Sequence, residues 1–467
     1  MATTSSVASS SVGLDVQSLV SQLMASERRP IDKLNTRVTS YQAKISSFGT
    51  LKGLLSGFQT ALKGLNTSFQ SVNATSSDTS VASASAGSTA AAGTYALNVT
   101  KLAQAQSLVA AGQTSSATAI GSGVATVVTF DFGTTSGATF TSNGSGTKTI
   151  TIDGTNNTLQ GISDAINAAQ MGVSATIVND GSGTPYRLAL TSTSSGVSNS
   201  IKITTDAGDA AVDGLLAHDP AGAQNLTQTV AAQDAVFTVN GIALSNASNT
   251  ITDAIQGVNL TLNKEAATTT LTVTHDTSAV TAAVSGMVDT YNALASQIKS
   301  RSAYGNTTAT AGALAGDGTL RLMQDQMRGI FNTPATPESG GTLTRLAEVG
   351  VLFQADGTLK LDSGKLNSAM ANNFSDVANL FSSATGFSTR LDAWSTAALA
   401  PDGLIEARTK SFDTSIKSYN DQISKLEARM TVLQKQYTTT YSNLNMMLNS
   451  MNSTSAYLSQ QFSQGTS

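Results

Sequence analysis

General acid–base chemistry near neutral pH most often uses histidine, whose ordinary pKa of about 6.5 lets it gain and lose a proton there. This chain has two, His218 and His275, far apart and without acidic partners at motif spacing. Both read as surface or capping residues. The sequence holds no cysteine, which removes thiol nucleophiles, thiolate metal sites and disulfides together. A phosphate-cradling loop needs glycines running into Lys-Ser/Thr at the start of a helix. The nearest stretch, GSGTKT at residues 144–149, precedes a strand pattern instead. DGSGTPYR, from Asp180, and GDGTL, from Gly316, resemble pieces of calcium loops. They lack the alternating acidic ligands and the closing glutamate, so they read as turns, and ADGTLKLD at residues 355–362 reads as a hairpin. Arg28 and Arg29 form too small a basic cluster to recruit nucleic acid or lipid. The expectation is a protein that is no enzyme, with no catalytic residue, cofactor or metal.

Composition supports a folded and weakly charged chain. Of 467 residues, 40% are hydrophobic and 12% charged, against about 25% charged in typical soluble domains. Ser, Thr, Asn, Gln and Gly fill the difference, as in many extracellular bacterial assemblies. A net charge of −4 with no basic run leaves no electrostatic footprint for nucleic acid. No apolar run approaches the roughly 18 residues of a membrane helix, so membrane insertion is not expected. The opening MATTSSVASSSV has neither the cationic region nor the apolar core of a secretory signal. It reads as disordered, and export would need another route.

What must be positioned is therefore an apolar surface. From residue 13 apolar side chains recur at helical spacing: Val16, Leu19, Val20, Leu23 and Met24, then Ile31 and Leu34 beyond Pro30. The pattern runs on through Val38, Tyr41, Ile45, Phe48, Leu51, Leu55, Phe58, Leu62, Leu65 and Phe69, mostly in alternating steps of 3 and 4, a coiled-coil seam. Gly49, Gly53 and Gly57 share one face. Each costs a helix about 1 kcal/mol against alanine, which implies close approach by another helix.

From about residue 72 the period falls to two. GTYALNVTKLA, ATVVTFDF, KTITIDG, VSATIVND, YRLALTS, SIKIT, AVFTVNG and VNLTLN read as strands between turn residues. Helical spacing returns near Asp276 with Val280, Val284, Met287, Val288, Tyr291, Leu294 and Ile298. A helix over about residues 320–331, a hairpin turning at Asp356-Gly357, and short helices at FSDVANLFS and FSTRLDAWSTAALA follow. After APDG, one helix takes up the remainder, about 90 Å at 1.5 Å per residue. It is too long for one domain, so part must project. Its seam is Phe412, Ile416, Tyr419, Ile423, Leu426, Met430, Leu433 and Tyr437, then Tyr441, Leu444, Leu448, Met451 and Leu458. Two adjacent steps of 4, Leu433 to Tyr437 to Tyr441, form a stutter.

Two stretches share an order of features. Asp153-Gly154 and Asn240-Gly241 each end a strand; Ile162–Ile166 and Ile251–Ile255 each read as a helix start, capped by Ser163 and Thr252; Gly172-Val173 and Gly257-Val258 each open another strand. The fold class expected is α+β multidomain: a terminal α-helical coiled coil and helical bundle with nested β-rich domains inserted. The divisions are 1–40 with 440–467 as a coiled-coil leg, 41–75 with 276–439 as the bundle, 76–118 with 235–275 as an inner β-rich domain, and 119–234 as an outer, variable one. The candidate docking residues are Leu14, Val16, Leu19, Val20, Leu23, Ile31 and Leu34 at one end, and Tyr441, Leu444, Leu448, Met451 and Leu458 at the other. Both ends fray into polar sequence, which favours contact with other molecules over an ordinary intramolecular coiled coil.

The stretch from GLDVQSLVSQLMASERRPIDKLN to SGFQTAL resembles the start of the flagellar filament cap family, the hook-associated protein 2 family. GTYALNVTKLAQAQSL, VGVLFQADGTLKLD and the ending MNSTSAYLSQQF are similar to further segments of it. LQGISDAINAAQMGVSATIVNDGSGTPYRLALTSTSSG resembles a repeat common to flagellar hook and filament proteins. The resemblance implies export through the flagellar secretion system and an extracellular position at the filament tip. It implies a homo-oligomeric ring, a pentamer, that promotes folding and insertion of arriving flagellin and prevents its leakage. Partners implied are other copies of the chain, flagellin and a flagellar export chaperone, with host surface glycans left open for the outer module. Other axial proteins (flagellin or a hook–filament junction protein) and surface adhesins share the composition; the terminal motifs argue against them.

Overall fold

Two helices lead the chain in the computed structural model, which describes residues 15–305, 311–338 and 341–464. The Ser/Thr/Ala-rich start and Leu14 lie outside the described residues. The first helix, α1 (Val16–Glu27), begins where the Asp15 carboxylate accepts the Ser18 N–H at 3.0 Å, satisfying one of its orphan donors. The chain breaks at Arg28, and α2 (Arg29–Ser68) takes Pro30 into its first turn, where the missing N–H costs nothing. Phe48, Leu51, Leu55, Phe58, Leu62 and Leu65 are fully buried along one side of α2. The glycine expectation fails: a Cβ at Gly49, Gly53 or Gly57 would meet nothing within 4 Å. Spaced four apart and offset by one from Phe48, these glycines fall on the side of α2 away from its buried seam, and no described helix approaches them.

The chain divides into two compact units, Phe69–Asp276 and the remainder. In chain order the Phe69–Asp276 unit holds β1 (Val72–Ser76), β2 (Ala82–Ala86), β3 (Gly93–Lys101), β4 (Ser107–Val109), β5 (Thr126–Ser136), β6 (Thr139–Ser142) and β7 (Lys148–Ile152). Next come α3 (Leu159–Ala168), β8 (Val173–Asn179), β9 (Tyr186–Ser192), β10 (Ser200–Thr205) and α4 (Ala210–Leu216). Then follow β11 (Thr227–Val230), β12 (Ala235–Val239), β13 (Ile242–Asn246), β14 (Thr250–Ile255), β15 (Val258–Leu262) and β16 (Ala267–His275). The unit has two cores. One lies between the sheet β1-β16-β3-β12-β13 and the sheet β14-β15-β2, filled by Leu97, Val99, Phe237, Leu260, Leu271 and Val273. The other gathers Phe130, Ile162, Ile166, Leu188, Leu190 and Ile203 from the sheets β10-β5-β6 (with β7 on β5) and β11-β4-β9-β8 and from α3. Asn240 and Gly241 turn the β12–β13 hairpin with φ of 51° and 83°, the doubly positive backbone that two-residue hairpins require.

The internal duplication holds in its first copy and changes in its second. The N-cap of α3 is Thr158, whose hydroxyl accepts the Gly161 N–H at 3.0 Å, not Ser163. Ser163 sits inside the helix and donates to the Ala175 carbonyl at 3.1 Å. In the second copy residues 250–255 form strand β14 rather than a helix, and Thr252 caps nothing. The reason is the turn length: Ile255 pairs directly with Val258, leaving only Gln256 and Gly257, with φ of 73° at Gly257.

The chain then returns to helix with α5 (Thr277–Ser302), α6 (Gly318–Asn332), the hairpin β17 (Val351–Phe353) and β18 (Leu359–Leu361), α7 (Ser363–Ser382), α8 (Phe387–Leu399) and α9 (Leu404–Gln464). FSDVANLFS is not a separate helix; it is the second half of α7, which breaks at Asn373 (φ −156°) and restarts where Asn373 Oδ1 accepts the Asp376 N–H. Helices α5, α8 and α9 pack on α2. Tyr291 of α5 sets its ring 5.9 Å from Phe58 and edge-on to Phe331 at 5.2 Å, and donates its hydroxyl to the Gly357 carbonyl at 3.1 Å. Burial pushes its pKa up to about 12, opposed by the nearby Arg328 cation. The Asn292 amide pairs with both backbone groups of Leu359, at 2.9 and 2.7 Å, fixing the hairpin on α5. No described helix is long and apolar enough to cross a membrane.

Candidate assembly surface

Helices α1 and α2 both pack along α9. Tyr41 of α2 lies 5.3 Å from the Phe412 ring and 5.8 Å from Tyr419. Ile31 packs with Ile423 and Met430, and Met24, Leu34, Val38, Leu426 and Leu433 close around them. Lower numbers on one side meet higher numbers on the other, so the pair is antiparallel. Arg408 anchors the base of α9: it stacks 4.5 Å over Phe412 and pairs at 2.9 Å with Asp317, whose carboxylate caps α6 by accepting the Thr319 N–H.

This seam sorts the residues singled out above. Val20 and Ile31 are 6% and 2% exposed, so both are engaged inside the chain and are not free for a partner. Val16, Leu19, Leu23 and Leu34 are half-buried beside them. They lie where α1 (Val16–Glu27) runs beside α9 at Gln434 and Thr438. The distal stretch differs. Tyr441 and Leu448 are half-buried. Leu444, Met451 and Leu458 are 41%, 59% and 47% exposed on a helix that continues to Gln464. Spacing missed Met447, which is also exposed and lies between Leu444 and Met451 on the same side. The strict heptad count passed over it because it flanks the seam.

Among the described residues no three His, Cys, Asp or Glu side chains gather as a metal site. His218 is no surface residue: it is buried in the Phe69–Asp276 unit, and its backbone exchanges hydrogen bonds with Ile203 at 2.8 Å each way. Burial lowers its pKa, against an opposing pull from the Asp219 carboxylate and a hydrogen bond with the Leu226 backbone. The folded state therefore favours neutral imidazole, while the unfolded chain takes up a proton below about pH 6.5, so stability falls as pH drops through that value. The melting temperature of the β-rich unit should decrease between pH 7.5 and 5.5, and His218→Gln should flatten that slope; an unchanged slope would remove His218 as its cause.

Paired helices from both ends of the sequence, antiparallel sheets inserted between them in the chain, and an apolar stripe on the longer helix are the build of the α+β multidomain fold of flagellar axial proteins. The chain belongs to the flagellar hook-associated protein 2 family. Residues 12–106 match the flagellar hook-associated protein 2 N-terminus, residues 232–453 its C-terminus, and residues 139–194 the flagellin hook IN motif. The chain is 36% identical to flagellar hook-associated protein 2 of Escherichia coli K12, over 96% of each. It is 32% identical to the B-type flagellar hook-associated protein 2 of Pseudomonas aeruginosa, over 90% of this chain and 89% of the other. Its fold is similar to the crystal structure of the D1-D2-D3 domains of the flagellar cap protein FliD from Escherichia coli, with a TM-score of 0.64 and 35% identity, covering 79% of this chain and 99% of that one.

Proposed function

We propose that this chain caps the distal end of a bacterial flagellar filament, as a closed ring of five copies that holds arriving flagellin while it folds and inserts. The work is mechanical: the protein makes and breaks no covalent bond. Residues 1–40 with 440–467 form the leg that docks on the filament, 41–75 with 276–439 a helical bundle, and 76–118 with 235–275 and 119–234 the inner and outer β-rich domains. Partners are other copies of the chain, flagellin, and an export chaperone that keeps the legs apart before secretion through the flagellar export route.

The observation that carries this reading is the distal face of α9, where Leu444, Met451 and Leu458 stand exposed beyond the reach of α1 in a chain of this family. An apolar stripe of that kind gains about 1.5–3 kcal/mol for each large side chain it buries, and a filament end offers neighbouring helices to bury it. A strain lacking its own filament cap tests the proposal. With this chain supplied, it should regrow full-length filaments and stop releasing flagellin monomer. Continued release with normal export of the chain would sink the reading.

A further inference from the structure

We propose that Met447 and Met451 make the distal face of α9 a site of oxidative modification: a hydroperoxide converts their thioethers to sulfoxides and disables the face. The consequence for docking rests on the function proposed above; the assignment of the sites does not.

Exposure sets the distal methionines of α9 apart from the other described ones, of which Met24 is half-buried. Met171, Met287, Met323, Met327 and Met370 are at most 3% exposed, and Met430 is 8% exposed in the seam. Met446, Met447 and Met451 are 62%, 63% and 59% exposed. Thioether oxidation follows access to the sulfur, so these three should react first. Helical geometry then separates them. Met447 stands three residues after Leu444 and four before Met451, so all three share a side. Met446 projects from the other side of α9, leaving it outside any contact made through the stripe. The chain thus contains its own control, a methionine equally exposed and placed off the face.

The chemistry balances with one reagent. A sulfur lone pair attacks the terminal oxygen of the hydroperoxide, a sulfur–oxygen bond forms as the O–O bond breaks, and the departing oxygen takes the proton of the transferred hydroxyl, leaving as water from hydrogen peroxide or as an alcohol from an organic hydroperoxide. Sulfur is oxidised and the peroxide oxygen reduced. The product carries a polar S=O where the stripe had an adaptable apolar group. Burying that oxygen without a hydrogen-bond donor opposes docking. Reversal needs methionine sulfoxide reductases for both sulfoxide epimers together with a thiol reductant.

The full-length chain, treated briefly with hydrogen peroxide, tests this in two steps. Site-resolved mass spectrometry should find Met446, Met447 and Met451 converted roughly tenfold faster than the five buried methionines. Equal rates would overturn the assignment. The oxidised chain should then lose its ability to restore filaments to cells lacking their own cap. Each variant is compared with its own untreated form: oxidation should lower capping by the wild type and by Met446→Leu, should cause no further loss in Met447→Leu with Met451→Leu whatever that variant's starting level, and should be reversed in the wild type by reductase treatment. Oxidised wild type that caps as well as untreated chain would overturn the disabling effect. If untreated chain fails to cap, the functional reading has failed, and the site assignment is decided by the reaction order alone.

Discussion

Cells exporting the chain without residues 441–467 should carry no filaments and release flagellin into the medium as monomer, while the shortened chain stays folded. The fold should survive because the deleted segment contributes little to it. Phe412, Tyr419, Ile423 and Met430, which pack with Tyr41, Phe48 and Ile31, all remain. The stripe residues lost are exposed or half-buried, and none is fully buried: Leu444 at 41%, Met447 at 63%, Met451 at 59% and Leu458 at 47% exposed, with Tyr441 and Leu448 half-buried. Removing side chains that face solvent typically changes stability by no more than about 0.5 kcal/mol each. Melting of the shortened chain should therefore match the full chain within a few degrees, while filament count falls to that of a strain with no cap. Normal filaments from the deletion strain would mean that the distal face of α9 is not the docking element.

The second large effect is on the fold. Phe58→Ala should destabilise the helical unit by about 3–5 kcal/mol, the usual cost of removing a large buried side chain and leaving its cavity. Phe58 is fully buried, with its ring 5.9 Å from Tyr291. That places the cavity against α5, so the loss spreads to the hairpin that Tyr291 and Asn292 hold. Calorimetry should resolve two transitions, one for each compact unit. Phe58→Ala should lower the helical one by roughly 10 °C and leave the β-rich one in place. Phe237→Ala, in the core that also holds Leu271 and Val273, should do the reverse. Equal shifts of both transitions by either substitution would mean that the two units unfold as one.

Where large apolar residues set the period, the sequence was legible. The seams of α2 and α9 announce themselves through Phe48, Leu51, Leu55 and Phe58 and through Phe412, Tyr419 and Ile423. Asn240-Gly241 marked the end of a strand, and the structure makes it a two-residue hairpin turn, a place few other pairs fill with two positive φ angles. Strands β1 and β2 were not readable. VNATS and ASASA hold mostly small residues, and their place is fixed by partners distant in sequence, β16 for Val72–Ser76 and β15 for Ala82–Ala86. Residues 250–255 misled because Ile251 and Ile255 are four apart, which fits a helix, yet the tight turn into Val258 forces them to pair across a sheet. Of the apolar face proposed for docking, spacing identified the stripe but not which of its residues the chain itself covers. Whether Val20 is engaged within the chain and Met451 is exposed depends on where α1 (Val16–Glu27) lies along α9, beside Gln434 and Thr438. No local pattern encodes that register, and nothing in the described residues packs on Gly49, Gly53 and Gly57.

One measurement bears most directly on the claim that this chain caps a filament. The sequence has no cysteine, so Ser145→Cys, exposed in the loop after β6 where the Ser145 N–H reaches Asn143 Oδ1 at 2.9 Å, gives a single thiol for gold labelling. Electron microscopy of labelled cells, with cells making the unsubstituted chain as the blank, should find gold clustered at the distal ends of filaments and nowhere along them. Gold spaced along the filament would make the chain a filament subunit, gold on the cell body would make it an adhesin, and either result would contradict the account.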